Sequence, residues 1–359
     1  MRLGLGIGLD ISNKVGGAFA PPANTVAPAV SGTAVVGQTL TTTNGTWTNS
    51  PTSYTYQWYR GASAISGETN STYVLVQADA GNTSNIKCVV TATNAGGSAS
   101  ADSNTVAQIL TIRTNSFLTA SGITDTTIKG ALNTLDVGFI SASIIPIAFY
   151  PMVGGVASTM KYNFMDARDL DSAYRLAWFG GWTYNSSGAL PNGTNAYADT
   201  NLIPNNVLNV NSHSLFYYLN TNNTPIQSDP ANMGIVNTLT QRMTLTSRLD
   251  FMGGALDGGA INISSQTTAA GFSLITKQSN TVTSVIKNST KVATGNSGGT
   301  LCTNKLPIGN VSINGVMYSA GWTNNRFAAV GVANGLSDSE SVMLYNLIQQ
   351  FQTTLGRNV

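Results

Sequence analysis

Short apolar segments separated by turn-forming residues constrain the fold of this chain more than any other feature of its sequence. Between Tyr150 and Pro204, glycine pairs at 154/155 and 180/181 and Asn/Gly/Ser-rich segments at 185–188 and 192–195 leave apolar pieces only a few residues long. Glycine and asparagine tolerate positive φ, so these positions predict tight turns between short strands. The pattern predicts the edge of an antiparallel β-sandwich and not a helical region.

The remainder of the second half of the chain is also predicted to be mostly β-structure. Alternating apolar residues predict strands at 215–220, 241–251, 260–265, 272–276, 282–287 and 311–318. The aliphatic and β-branched segment from Phe139 to Tyr150 predicts a further, buried strand. A short amphipathic helix is predicted over 124–135, with Asp125 near its start.

The clearest helix is predicted near residue 340. Ser337 and Glu340 have the spacing of a capping box, in which each side chain bonds to the backbone of the other residue. The apolar positions that follow share one helical face, and Gly356 supplies a stop signal; they are Leu344, Leu347, Ile348, Phe351 and Leu355. We expect this helix to pack as a lid on a sandwich.

Composition limits the classes of partner. Of the 359 residues, 9% are charged and 42% are hydrophobic, which is typical of a turn-rich β-protein with a buried core. The 17 lysines and arginines are dispersed, so nucleic acid is not expected to bind. No apolar run approaches the ~18 residues of a transmembrane helix, so no membrane insertion is predicted. Cys88 and Cys302 lie far apart and are interpreted as buried free thiols, with a bridge as the alternative.

The first residues alternate strictly between aliphatic residues and glycine. Leu3, Leu5, Ile7 and Leu9 would share one face of an extended strand, with bare backbone on the other. Such a strand can add to the edge of a partner's sheet. We interpret residues 1–22 as a docking peptide; the alternatives are a strand of the neighbouring domain or a tail.

Residues 23–108 form a separate predicted unit of alternating strands. Its segments SYTYQWYRG, STYVLVQADAG and NIKCVVTATNAGG resemble bacterial and phage immunoglobulin-like domains. The resemblance places Trp58 at the core tryptophan and Cys88 at the second cysteine of that fold. Leu40 takes the place of the first cysteine, and Ile86 stands where a corner tyrosine is expected. The resemblance implies a β-sandwich without a disulfide, acting as a spacer.

A second resemblance covers residues 113–359. The motifs YPxVGG, KYN, DxxDxDxAYRLxxxGGWTxNxxG and PNGTNAYADTNLxP, with the closing segment 327–357, are similar to a domain of bacteriophage structural proteins. That domain is described as a concanavalin A-like (LamG-like) jelly-roll sandwich. The prediction is therefore an all-β chain: an immunoglobulin-like sandwich at 23–108, then a concanavalin A-like jelly roll at 109–359 with a short helix near its start and a C-terminal helix.

Catalytic constellations are sparse. His213 is the only histidine, lies between two serines and is expected at the surface or at a pocket edge. Paired glutamates of the glycosidase type are excluded, because Glu68 and Glu340 lie in different predicted domains. An aspartate pair at 169 and 171 remains a minor alternative. We predict no enzymatic activity and no cofactor.

Two groups of residues remain as candidate binding sites. Asp166, Asp169 and Asp171, with Asp199, have the oxygen ligands that calcium prefers, although Arg168 and Arg175 could instead pair with them. The second group consists of aromatic residues that could stack on sugar rings or anchor the core: Trp178, Trp182, Tyr184, Tyr197 and Trp322.

The function predicted from these features is that of a phage virion structural protein. It would be a fibre, decoration or tail-appendage subunit at the particle surface, docked on other virion proteins by its N-terminal peptide and forming a homo-oligomer. The alternative is a lectin-like adhesin, or receptor-binding protein, that recognises a host-surface glycan. A depolymerase is the third hypothesis.

Overall fold

The structure is a computed structural model that describes residues 19–81, 85–224, 230–248, 251–263, 266–279, 282–296 and 298–359. The described chain divides into two compact units. The first unit holds the described residues 19–79 and 85–108. The second unit holds residues 80 and 81 and the described residues from Ile109 onward. The predicted docking residues Leu3, Leu5, Ile7 and Leu9 lie outside the described residues.

The first unit is built from short antiparallel strands. In chain order they are β1 (Asn24–Val26), β2 (Val30–Gly32), β3 (Thr39–Thr42), β4 (Thr46–Trp47), β5 (Ser53–Arg60), β6 (Ser63–Ala64), β7 (Thr72–Val74), β8 (Ile86–Asn94) and β9 (Gly97–Asp102). One sheet has the order β2-β3-β7 and another the order β6-β5-β8-β9, while β1 pairs with β4. The first unit is therefore built from antiparallel β-sheets, as an all-β fold requires.

The core of this unit forms around Trp58. The indole stacks on Tyr73 of the opposite sheet with ring centroids 5.5 Å apart, and its Nε1 donates to the Asn70 carbonyl at 2.9 Å. Cys88 lies opposite Trp58 in register and is a buried free thiol, as is Cys302 in the second unit. Leu40 is fully buried, so packing takes the place of the disulfide.

Three groups donate hydrogen bonds to the buried side chain of Asp79. Asp79 accepts from the Tyr73 hydroxyl at 2.7 Å, from the Val76 amide at 2.8 Å and from Arg60 Nε at 2.8 Å. Ile86 cannot make such a bond, as the sequence indicated. The turn before β8 is therefore fixed by a carboxylate.

The second unit contains the helices and most of the strands. The helices are α1 (Ile112–Ser121), α2 (Thr126–Ala142), α3 (Ala157–Met160), α4 (Pro204–Val207) and α5 (Asp338–Thr354). The strands are β10 (Ala148–Tyr150), β11 (Ala177–Phe179), β12 (Trp182–Asn185), β13 (Gly188–Pro191), β14 (Tyr197–Asp199), β15 (His213–Leu219), β16 (Met233–Thr238), β17 (Gln241–Arg248), β18 (Phe251–Leu256), β19 (Gly259–Ile263), β20 (Gly271–Lys277), β21 (Thr283–Lys287), β22 (Thr290–Gly295), β23 (Pro307–Ile308), β24 (Val311–Ile313), β25 (Val316–Met317) and β26 (Phe327–Ala333).

Two sheets dominate this unit. The front sheet has the order β11-β14-β23-β16-β17-β18-β19, with the β24–β25 hairpin added along β16. The back sheet has the order β12-β13-β26-β15-β20-β21-β22, with β10 also paired to β26. The prediction of a fold made mostly of β-structure is confirmed.

The unit has three layers and two cores. Residues that alternate along β15, such as Leu215 and Tyr217, pack with Ile235 and Leu245 of the front sheet in the core between the sheets. The other face of the back sheet packs on the helices through a second core. Its largest members include Phe117, Phe139, Phe149, Phe216, Phe272 and Phe351.

The helices near residue 120 differ from the prediction. Residues 112–121 form α1, for which no helix was predicted, and α2 runs from Thr126 to Ala142 with Asp125 as its N-cap. Phe139 therefore lies in a helix, and the predicted strand 139–150 was wrong except for Ala148–Tyr150. Phe139 packs edge-on against Phe149 with centroids 5.6 Å apart, because both belong to the core under the helices.

The C-terminal helix is confirmed. The Ser337 hydroxyl accepts from the Glu340 amide while the Glu340 carboxylate accepts from the Ser337 amide, which completes the capping box. Leu344, Ile348 and Phe351 are buried in the core beneath the back sheet. None of the helices in the described part of the chain combines the length and apolar character that a membrane crossing requires.

Candidate functional site

Three aromatic rings lie together on the outer face of the front sheet. Phe179 of β11 and Tyr197 of β14 are register partners, and their neighbours Trp178 and Ala198 pack on the opposite, inner side. The two outer rings stack with centroids 4.7 Å apart and planes 11° from parallel. Trp322 lies 6.4 Å from Tyr197. Phe179 is 44% exposed, so the row Phe179–Tyr197–Trp322, here called the aromatic row, presents apolar ring surface to solvent.

A groove of about 440 Å³ lies on the same sheet. Alternation along β17 directs its polar side chains outward, while Leu245 between them points into the core. Residues that line the groove include Arg242, Thr244, Thr246, Phe251, Asn262 and Tyr318. Tyr318 and Trp322 belong to one short segment, closed by a hydrogen bond from the Gly321 amide to the Tyr318 carbonyl. This segment connects the groove to the aromatic row.

The floor of the groove depends on a residue without a side chain. A Cβ added at Gly253 would lie 2.6 Å from the Phe251 ring and 2.6 Å from the Ile261 carbonyl. Ala255 and Ala260 are the other small residues there. A larger side chain at Gly253 would displace Phe251 and fill the space, so the depth of the groove follows from glycine at this position.

Arg242 gives the groove its positive charge. Its Nε donates to the Gly258 carbonyl at 2.6 Å, which holds the guanidinium plane in place. Within the described residues, no carboxylate forms an ion pair with Arg242, and the lining contains no acidic residue. The groove therefore offers hydroxyls, an amide and a cation next to aromatic rings, the mixture expected of a site for a polar ligand with apolar faces.

Three of the predicted aromatic contacts are partly buried and lie against the core. Trp178, Trp182 and Tyr184 pack against the core between the sheets and against one another, with Trp178 centroids 5.0 and 5.2 Å from the other two. Trp182 Nε1 donates to the carbonyls of Phe179 and Tyr197, which ties the aromatic row to the core. Burial raises the pKa of Tyr184 to about 12. These partly buried rings support the aromatic row from the side of the core.

Phe179 was not predicted as part of the site. The sequence did contain a signal for it. Successive side chains of a strand point to opposite faces, so if Trp178 faces inward, Phe179 faces outward. Tyr197 and Trp322 were among the aromatic residues singled out from the sequence, and both lie on the outer face.

The aspartates at 166, 169 and 171 form ion pairs with nearby basic side chains. Asp166 accepts from Arg168 Nε at 2.8 Å, Asp171 accepts from Arg175 Nε at 2.8 Å, and Asp169 pairs with both Lys161 and Arg175. Hydrogen bonds from Arg168 and Lys161 lower the pKa values of Asp166 and Asp169, respectively.

The cluster therefore has the geometry of surface ion pairs. No group of three or more His, Cys, Asp or Glu side chains within the described residues is arranged to hold a metal ion.

The expected surface position of His213 was wrong. The side chain is fully buried between the two sheets, because β15 lies in the middle of the back sheet and His213 alternates with Ser214 toward the front sheet. Its Nε2 lies 3.4 Å from Asp257 Oδ2, and Lys277 Nζ lies 2.9 Å from the same oxygen. Desolvation lowers the pKa of His213. This cluster is closed to solvent and is separate from the outer face.

Comparisons with known proteins give distant structural likeness only. No protein-family model matches the sequence, and no curated protein matches it. Similar solved structures include the binding domain of botulinum neurotoxin serotype D/C VPI 5993, with a TM-score of 0.36, 13% identity and coverage of 57% of this chain and 52% of the other. Two further examples are binding domains of botulinum neurotoxin DC, in complex with rat synaptotagmin II and with SialylT.

The first of these two has a TM-score of 0.35, 12% identity and coverage of 57% and 52%. The second has the same TM-score and identity, with coverage of 58% and 52%. The chain thus spans about half the length of the structures it matches.

Proposed function

We propose that this chain is a non-enzymatic surface protein of a bacteriophage virion whose second unit binds a host-surface glycan through the outer face of the front sheet. The observation that carries the glycan part is the aromatic row beside the polar groove. The virion part is supported by the sequence motifs of residues 113–359 and by the alternating N-terminal segment, which would dock the protein on the particle.

The aromatic row suits a saccharide because of its exposure and order. Sugar rings have apolar C–H faces that pack on aromatic rings, and such rings contribute binding energy beyond the area they bury. The Phe179 ring is stacked on Tyr197, and Trp182 fixes the backbone of both strands. A rigid platform loses little conformational entropy when a ligand binds.

The groove supplies the polar half of the site. Thr244 and Thr246 present hydroxyls that both donate and accept, Asn262 adds an amide, and Arg242 donates from a planar guanidinium. Hydrogen bonds to a charged donor are about twice as strong as neutral ones. A glycan that carries a carboxylate or sulfate would therefore bind more tightly than its neutral counterpart.

Replacing Phe179 by alanine is expected to weaken glycan binding by about tenfold or more, because exposed aromatic rings that take part in a contact surface are typical hot spots. The measurement is a glycan-array screen with the full chain, followed by calorimetric titration of the glycans that bind. Phe179 is preferred to Trp182 as the test, since Trp182→Ala would also remove core packing.

Leu170→Ala is the matched control, because Leu170 is 49% exposed in the same unit and lies in the acidic segment. Arg242→Gln should reduce binding of acidic glycans, whereas Arg168→Gln removes the same charge elsewhere and should not. Equal affinities for wild type, Phe179→Ala and Arg242→Gln, or no bound glycan on the array, would contradict glycan binding by this face.

The virion part is tested by immunogold labelling of intact particles with antibody against the second unit. Gold at one defined location on the particle is the expected result, and that location would distinguish head from tail. Gold absent from particles, with the protein free or on cells, would contradict the virion part and leave a lectin-like adhesin as the proposal.

A further inference from the structure

A buried lysine and a buried aspartate face each other across the two sheets of the second unit. Asp257 lies in the turn between β18 and β19 of the front sheet, and Lys277 is the last residue of β20 in the back sheet. Neither side chain is exposed, and Lys277 Nζ is 2.9 Å from Asp257 Oδ2. A covalent bond between these two side chains would join the sheets directly.

Some donors and acceptors of this ion pair have no hydrogen-bond partner among the described residues. An ammonium has three donors, yet the described residues give Lys277 Nζ one partner, Asp257 Oδ2. Asp257 Oδ1 has no partner among the described residues. A buried ion pair is costly unless its remaining donors and acceptors are satisfied. An amide has one N–H and one carbonyl, so it would leave fewer groups unpaired in the same space.

His213 is placed to carry protons for such a reaction. It lies opposite Lys277 in register on β15, and its Nδ1 is 2.8 Å from the Asn209 carbonyl. A carbonyl only accepts, so Nδ1 holds the proton and the Nε2 lone pair faces Asp257 Oδ2 at 3.4 Å. Nε2 has no hydrogen-bond partner among the described residues. The imidazole is thus a buried base beside the carboxylate.

We propose that Lys277 and Asp257 form an intramolecular isopeptide bond, with His213 as the proton carrier. The bond that forms joins Lys277 Nζ to Asp257 Cγ, and the bond that breaks is Cγ–Oδ2. Of the three ammonium hydrogens, one stays on the amide nitrogen and two leave with Oδ2 as water. The reaction is a condensation of one ammonium and one carboxylate, and no oxidant or other reactant takes part.

The arrangement favours each step of this condensation. Both side chains are fully buried, and a neutral amide avoids the desolvation cost that a buried ion pair carries, so burial favours the condensed product. The two groups are held in contact by the packed sheets, which replaces a bimolecular encounter by an intramolecular one. His213 Nε2 accepts a proton from the attacking nitrogen and returns it to the leaving oxygen.

The test is the mass of the purified full chain under denaturing conditions. We expect a mass lower than that of the uncondensed chain by one water molecule, and a proteolytic fragment in which the peptides holding Asp257 and Lys277 are joined. Lys277→Met should have the full mass of its sequence. His213→Gln should accumulate the joined species more slowly, which a purely structural histidine would not affect.

Lys287→Met is the matched control, because Lys287 is also a buried lysine of the back sheet but has no ion pair with any described carboxylate. This variant should keep the water loss. If Lys277→Met does not fold, the wild-type mass and peptide map still decide the question. A wild-type mass without water loss, or separate Asp257 and Lys277 peptides, would overturn the proposal and identify the cluster as a buried ion pair.

Discussion

Replacing Lys287 by methionine is expected to stabilise the protein at pH 7 by about 2–4 kcal/mol. Lys287 is 7% exposed in the core between the sheets, where Nζ donates to the Ala269 carbonyl at 2.9 Å and to Ser273 Oγ at 3.3 Å. Desolvation lowers its pKa from 10.5 to about 7. Methionine fills a similar volume, and the Ala269 carbonyl keeps a donor in the Ser247 hydroxyl.

The same lysine makes stability depend on pH in a defined direction. Between the folded pKa of about 7 and the unfolded value of 10.5, the unfolded chain binds the proton and the folded chain does not. Stability therefore rises with pH across this window and falls as pH decreases toward 7, by about 4–5 kcal/mol in total. Below pH 7 both states are protonated, and this group adds no further change.

Calorimetric unfolding of wild type and Lys287→Met from pH 6 to pH 10 measures both effects. The unfolding temperature of the variant at pH 7 should be higher by roughly 5–10 °C, and the difference should shrink toward pH 10. Lys291→Met, on the adjacent strand with a half-exposed side chain, serves as the control and should change little. Parallel pH curves for wild type and Lys287→Met would show that Lys287 is not the titrating group.

Replacing Trp58 by alanine should destabilise the first unit by about 3–5 kcal/mol. The indole is fully buried, stacks on Tyr73 and donates to the Asn70 carbonyl, so its loss leaves both a cavity and an unpaired carbonyl. Without a disulfide, the two sheets of this unit rely on such contacts.

Hydrogen exchange measured by mass spectrometry localises this effect. Amides of β5 and β8 should lose protection in Trp58→Ala, while amides of β26 in the second unit provide an internal reference. Trp47→Ala is the control, since Trp47 is only half-buried, in the two-residue strand β4. Similar loss of protection in both variants would mean that Trp58 is not the centre of this core.

The strands and the final helix were predictable because their signals are local. Alternation and turn residues predict strands wherever one face is buried, and the Ser337–Glu340 pair defines a helix start within four residues. The helix was predicted to end at 135 and the segment 139–142 was misassigned to a strand, because Gly138 and its β-branched neighbours are unfavourable in helices. A Cβ at Gly138 would lie 2.3 Å from Leu347 Cδ2, so this glycine allows α2 to approach α5 closely. Packing between helices overrides local propensity here.

The candidate site was predictable only in part, because it is assembled from separated strands. Aromatic residues at 178–184 and at 322 could be singled out from the sequence, but which rings face outward depends on the register between β11 and β14. The groove needs β17, β18 and β19 side by side. Likewise, nothing near His213 in the sequence indicates Asp257 or Lys277, which approach it from the β18–β19 turn and from β20.

The central position of β26 has a consequence for synthesis of the protein. This strand pairs with β10, β13 and β15, all of which precede it by more than a hundred residues in the chain. Chains emerge from the ribosome with their N-terminal residues first, so the back sheet cannot be completed until residue 333 has been made. Until then β15 lacks one of its two neighbouring strands, and chaperone binding to nascent chains should persist to that point.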